Sequence, residues 1–193
     1  MRRSAVALSA SLVALLILAL PVLADWPGDP GTYKSLSLSR TECLDEPVCN
    51  STNWWYVSAG ISFDGTAEVC VSVDLTGAFE TGCTTVSASS LSLRKGYIVG
   101  APATSVTLHD GGINGAVTRT VTASMSATLG TVAFKDALHD SFVDENGCTG
   151  RLNDTRTALN AGGTITLDDS SMDSTDGLSM ITDVRVTLKC PKP

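Results

Sequence analysis

The chain has 193 residues, 13 of them basic and 20 acidic, for a net charge of −7, with six cysteines and two histidines. That length carries one ordinary domain and is too short for two comfortable ones. The acidic balance repels phosphate backbones and anionic lipid headgroups, which argues against general nucleic-acid binding and membrane-surface adhesion.

Residues 1–24 read as a removable export signal. Arg2 and Arg3 supply the positive start, residues 5–20 form an apolar run, and Val22 and Ala24 stand at the −3 and −1 positions of a small-residue cleavage site. The charge-free stretch 4–24 is long enough to span a bilayer, but Pro21 beside a clean cleavage site favours removal over anchoring. No second apolar run follows, so no membrane span is expected in the mature chain. Residues 25–31, with Pro27 and Pro30, read as a loose arm, and residues 32–193 as the folded domain. The mature chain has 11 basic against 20 acidic residues, and its 19 serines and 23 threonines favour strands with a solvated face over a helical bundle.

In chain order, strands are expected at residues 33–39, 54–63, 67–75, 86–93, 105–109, 117–129, 155–167 and 180–190. The clearest is 67–75, where Ala67, Val69, Val71, Val73 and Leu75 alternate with polar residues. Along 117–129, Val117, Val121, Ala123, Met125, Ala127 and Leu129 share a face with Arg119, opposite a row of Thr and Ser, the pattern of an antiparallel strand with one wet side. In 180–190, Met180, Val184, Val186, Leu188 and Cys190 alternate with Ile181, Asp183, Arg185, Thr187 and Lys189. Phe134, Leu138 and Phe142 recur at helical spacing, yet their strand-like flanks favour extended structure for 132–143. Asp64-Gly65, Asp110-Gly111-Gly112, Asn114-Gly115, Asn146-Gly147 and Asp176-Gly177 supply tight reversals. About nine strands at short spacing, without parallel crossovers, predict an all-β fold: a single antiparallel β-sandwich or barrel-like domain.

Six cysteines in an exported chain are most simply three disulfides. Locality pairs Cys43 with Cys49, Cys70 with Cys83, and Cys148 with Cys190. The second pair flanks an expected hairpin whose loop contains Thr76-Gly77 and Thr81-Gly82. No C-x-x-C pair exists and neither histidine has zinc-site spacing to a cysteine, so structural zinc is not expected.

Chemistry-bearing motifs are sparse, and no catalytic, cofactor or metal residue is assigned. His109-Asp110 and His139-Asp140 superficially invite a hydrolytic triad, but no G-x-S-x-G elbow accompanies them. Asp168, Asp169, Asp173 and Asp176 crowd one loop and Asp140, Asp144 and Glu145 another. Hard cations take such ligands, yet neither fits a calcium-loop pattern. Asn50 and Asn153 begin N-x-[ST] sequons, which accept glycans only in a eukaryotic secretory pathway. Trp54-Trp55-Tyr56 is the most suggestive binding feature. On a strand, Trp54 and Tyr56 face one way and Trp55 the other, so one side can enter a core while the other offers an aromatic platform or is covered by the arm carrying Trp26.

The leader, E-V-C-V-S-V-D-L at 68–75, T-G-C at 81–83, the Thr/Ser-rich strand 117–129, N-G-C at 146–148 and G-G-T-I-T-L at 162–167 together resemble uncharacterised bacterial secreted all-β proteins over residues 57–167. The resemblance implies an exported, disulfide-containing β domain and brings no activity with it. The expected function is that of a secreted, non-catalytic binding or structural module contacting an extracellular glycan or protein. The alternative is a small secreted hydrolase using loop carboxylates or His109 and His139.

Overall fold

In a computed structural model, the structure describes residues 30–43, 53–75, 77–112, 114–143, 146–174 and 177–191. They form ten antiparallel strands: β1 (Gly31–Cys43), β2 (Trp54–Ile61), β3 (Ala67–Leu75), β4 (Ala78–Val86), β5 (Ser92–Arg94), β6 (Tyr97–Asp110), β7 (Val117–Val143), β8 (Thr149–Leu167), β9 (Ser170–Ser174) and β10 (Gly177–Lys189). A 3-10 turn at Ala88–Ser90 is the sole helical element among the described residues, and no helix there is long and apolar enough to cross a membrane.

The sheet closes on itself. The pairing order β10-β1-β2-β3-β4-β6-β7-β8 is completed by β8 pairing β10, so eight strands form a ring, with β5 and β9 as side branches. Closure depends on β8. One of its edges pairs β7 along its whole length, while the other pairs β10 over residues 149–160 and β9 over 163–167. Of the two layouts that the sequence leaves open, the pairing selects the barrel over two stacked sheets.

Inside the ring, period-two alternation delivers Leu38, Val57, Val69, Val71, Val73, Val106, Leu108, Val121 and Ile165 to a core from which water is excluded. An eight-stranded ring leaves an interior that side chains can just fill. Its tightest seam joins β4 to β6, where only Glu80–Asp110 and Thr81–His109 are in register. A Cβ at Gly82 would lie 2.0 Å from the Thr107 carbonyl oxygen, so the strands meet there only because residue 82 has no side chain. Arg119 on β7 spans the seam, its Nε and Nη2 donating to Glu80 Oε2 at 2.9 and 2.7 Å.

The barrel also buries polar groups. Arg40 Nη2 donates to Glu42 Oε1 at 3.3 Å, and both side chains point inward from β1. The Arg40 stem occupies space beside Gly177, where a Cβ would approach its Cγ to 2.8 Å. Ser179 Oγ donates to the Ile98 carbonyl at 2.7 Å, linking β10 to β6.

Past the barrel rim, residues 133–143 of β7, 149–159 of β8, 179–189 of β10 and 31–36 of β1 continue as a four-stranded blade. Its burial is inverted relative to the barrel. The strand face that points outward at the barrel becomes dry, burying Ser35, Asp154, Ala158, Thr182, Val184 and Val186. Phe142 lies over Gly150, where an added Cβ would meet the ring at 2.3 Å. These residues lie outside the barrel's core cluster and constitute a second, smaller core. Arg156 Nε and Nη2 converge on Asp154 Oδ2 at 3.1 and 2.7 Å, pairing the buried carboxylate within its own strand.

Two disulfides are in place among the described residues: Cys70–Cys83 links directly opposed residues of β3 and β4, and Cys148–Cys190 ties the start of β8 to the end of β10 at the blade's far end. Cys49 lies outside the described residues, as do residues 1–29, which hold the expected export signal, most of the expected arm and Trp26. Several expected boundaries differ. Residues 86–93 were expected as one strand but hold the end of β4, the 3-10 turn and the start of β5. Residues 132–143 extend β7 as a strand, because their backbone pairs with β8 in spite of the helical recurrence of Phe134, Leu138 and Phe142. The acidic segment expected as a loop instead contains β9.

Two measurements check this account. Gly82→Ala should lower the unfolding free energy in urea by about 2 kcal/mol or more, because backbone oxygen and not a flexible side chain occupies the space it needs. Strong reductant should lower the melting temperature, since the 42-residue span closed by Cys148–Cys190 is worth about 2–4 kcal/mol; unchanged melting contradicts that role.

Candidate functional site

The aromatic cluster divides between the two sides of β2. Trp55 and Val57 face the barrel interior, with Trp55 packed against the core. Trp54 and Tyr56 face outward, but each is largely covered. Trp54 sits opposite Asp74 and its ring lies 6.1 Å from that of Phe79 on β4, in a tilted arrangement. Burial pushes the Tyr56 phenol up to about 12 in spite of hydrogen bonds from Ser58 and Ser39 that favour its ionised form. All three side chains are partly buried, while Phe79, at the border of the cluster, is exposed.

The histidines occupy separate environments. His109 Nδ1 lies 3.0 Å from the Gly115 carbonyl in the β6–β7 turn, where it donates to the backbone. His139 stands on the blade, its Nδ1 donating to Asn153 Oδ1 at 2.7 Å across the β7–β8 ladder. Each neighbouring aspartate, Asp110 or Asp140, follows its histidine along a strand and so projects from the opposite face. Asp140 Oδ1 instead accepts the Ser141 N–H, and Asp136 Oδ1 accepts the Ala137 N–H.

The acidic clusters are partly consumed by structure. Asp168, at a positive φ of 52°, accepts the Thr122 N–H through Oδ1 and donates its own N–H to the Thr122 carbonyl, fastening the β8–β9 turn to β7. Asp173 accepts a short hydrogen bond from Thr164 Oγ1. Asp144, Glu145 and Asp176 lie outside the described residues. Glu68 approaches Cys70 and Cys83, but those sulfurs are joined to each other and offer no thiolate to a metal.

The blade's wet face brings together residues that sequence order keeps apart. Register places His139, Asn153 and Arg185 in one row across β7, β8 and β10, with Ser141, Arg151 and Thr187 in the next and Val143, Thr149 and Lys189 beyond it. His139, Ser141, Arg151 and Asn153, together with Asp140, line a shallow open depression of about 350 Å³. Arg151, Arg185 and Lys189 are exposed and form no ion pair among the described residues. Asp183, the one acid that strand alternation puts on this face, is shared with Lys34 at 4.0 Å. Sequence alternation groups Arg185 with Lys189 on β10, but their assembly with Arg151 and His139 depends on the pairing of three strands.

Comparisons with protein-family models, with curated proteins and with solved structures found no match for this chain.

Tyr56 supplies a pH test. Below pH 10 the phenol is protonated in both folded and unfolded chains; between about 10 and 12 only the unfolded chain loses the proton, so stability falls as pH rises. Tyr56→Phe should remove about 2 kcal/mol of that alkaline loss, measured as the difference between wild-type and variant urea midpoints across this pH range.

Proposed function

We propose that this chain is an exported, non-catalytic β module that binds an extracellular glycan or protein through the wet face of its blade. The leader, the disulfides and the resemblance to secreted β proteins support an oxidising compartment outside the cytoplasm. The observation that carries the binding role is a flat, four-stranded face beyond the barrel rim, lined by hydroxyl, amide and guanidinium groups that the core does not use. Such a face supplies directional hydrogen-bond partners on rigid strands, at little cost in loop ordering. Trp54 and Tyr56 serve better as packing for the barrel's outer wall.

A second reading rests on His139. Its Nδ1 is held by Asn153, which leaves Nε2 directed away from that bond, and Ser141 shares its strand face. A base oriented by a third group is half of a nucleophilic constellation, although no hydroxyl is hydrogen-bonded to this imidazole among the described residues.

A glycan and protein array separates the two. The binding reading expects captured ligands whose retention survives Trp54→Ala and falls at least about tenfold with Arg151→Gln/Asn153→Ala. Saturable ester or glycoside hydrolysis abolished by His139→Ala would replace it with the second reading, and an array empty of ligands would defeat the first.

A further inference from the structure

We propose that the ligand of the blade's wet face is an acidic polysaccharide, gripped through its carboxylate or sulfate groups by Arg151, Arg185 and Lys189. This inference rests on the binding role proposed above and names the chemistry of its ligand.

Charge segregation is the first support. The chain as a whole is −7, yet strand alternation puts Lys34, Lys135, Arg151, Arg185 and Lys189 on this face against Asp183, with Asp140 of the edge strand also lining the depression. Residues that merely solubilise an acidic protein have no reason to gather cations on one side of one sheet. Because the Debye length near physiological salt is about 8 Å, the acids on the rest of the molecule only weakly cancel the local field.

Geometry is the second. Arg151 lies directly opposite Thr187, which places Arg185 and Lys189 as its two diagonal neighbours on β10. Diagonal neighbours on a sheet face are about 7–8 Å apart, so three long cationic side chains cover a strip that a repeating anionic chain can follow. Arg185 also continues the His139–Asn153 row, and Thr149, Thr155 and Thr187 add hydroxyls along the strip. That mixture of fork-shaped cations with neutral donors and acceptors matches a sugar carrying both acidic groups and hydroxyls.

The same surface is poorly made for nucleic acid. Single strands are held by aromatic side chains on which bases stack, and this face has none; a rigid duplex would bring the acidic remainder of the chain against phosphates.

The test uses the full chain, exported and oxidised in a bacterial host so that Asn153 keeps its free amide. Binding is measured to heparin as the sulfated arm, polygalacturonate as the carboxylated arm, a 20-base-pair DNA duplex and neutral dextran, with unchanged melting temperatures confirming folded variants. The expected result is salt-sensitive binding to one or both acidic polysaccharides, weakened about tenfold by Arg151→Gln/Arg185→Gln and less than about twofold by the charge-matched control Arg94→Gln/Lys95→Gln. Which arm binds identifies the acidic group. Absence of binding to both, equal loss in the two double variants, or tighter binding to DNA overturns the proposal. Array ligands that are neutral and remain bound to Arg151→Gln/Arg185→Gln also overturn it, while leaving the module's binding role intact.

Discussion

The architecture depends on satisfying the backbone groups of β8 along both edges. Nineteen residues long, β8 is too extended for one neighbour to cover its second edge, so β9 and β10 divide that edge end to end. Once β10 is committed there and to β1, the ring has no choice but to close. An unpaired strand edge is a template for association, and closure removes most such edges. The longest that remains is where β7 runs past Ser126 without a second partner among the described residues. Along it, Asp136 and Asp140 accept the N–H groups of Ala137 and Ser141, while Lys135 adds charge to an otherwise apolar edge carrying Val132, Phe134 and Leu138. Those carboxylates compete with any incoming strand for the same donors.

Extending the strands beyond the ring has a second consequence. A strand face that points into the barrel is apolar there, but past the rim nothing encloses it, and the residues on it become charged and hydrated. The opposite face behaves in reverse, gathering Val184, Val186 and Ala158 around the Asp154–Arg156 pair. A buried carboxylate costs several kcal/mol unless paired, and the guanidinium two residues along the same strand supplies that pairing locally. The small core thereby supports the wet face from behind, fixing the spacing of side chains that a loop would leave variable.

The described cross-links lie outside the main core. Cys70–Cys83 bridges the β3–β4 hairpin on the barrel's outer side, and Cys148–Cys190 closes the tip of the blade, far from the main core. Constraining the unfolded chain at the blade's tip stabilises a region outside the barrel's core cluster. A blade held by covalent bonds at its tip and by the barrel at its base is a suitably rigid surface for recognition, because little ordering remains to oppose binding.

The sequence by itself determined what depends on near neighbours: the all-β class, the alternation of Ala67 to Leu75 into the core, the antiparallel hairpins and the local pairing of Cys70 with Cys83, all consequences of side chains alternating across a pleated backbone. Trp55 and Trp54 also part to opposite sides by that rule. For residues 132–143 the strand-like flanks favoured extended structure over the helical spacing of Phe134, Leu138 and Phe142, and pairing with β8 is what realises it. Only the tertiary structure decided that the sheet is a ring, that Arg151 neighbours Arg185 and Lys189, and that Arg40 lies beside Gly177. Those facts depend on register between strands distant in the chain, and a one-residue slip would send every side chain to the other face while leaving the local pattern unchanged.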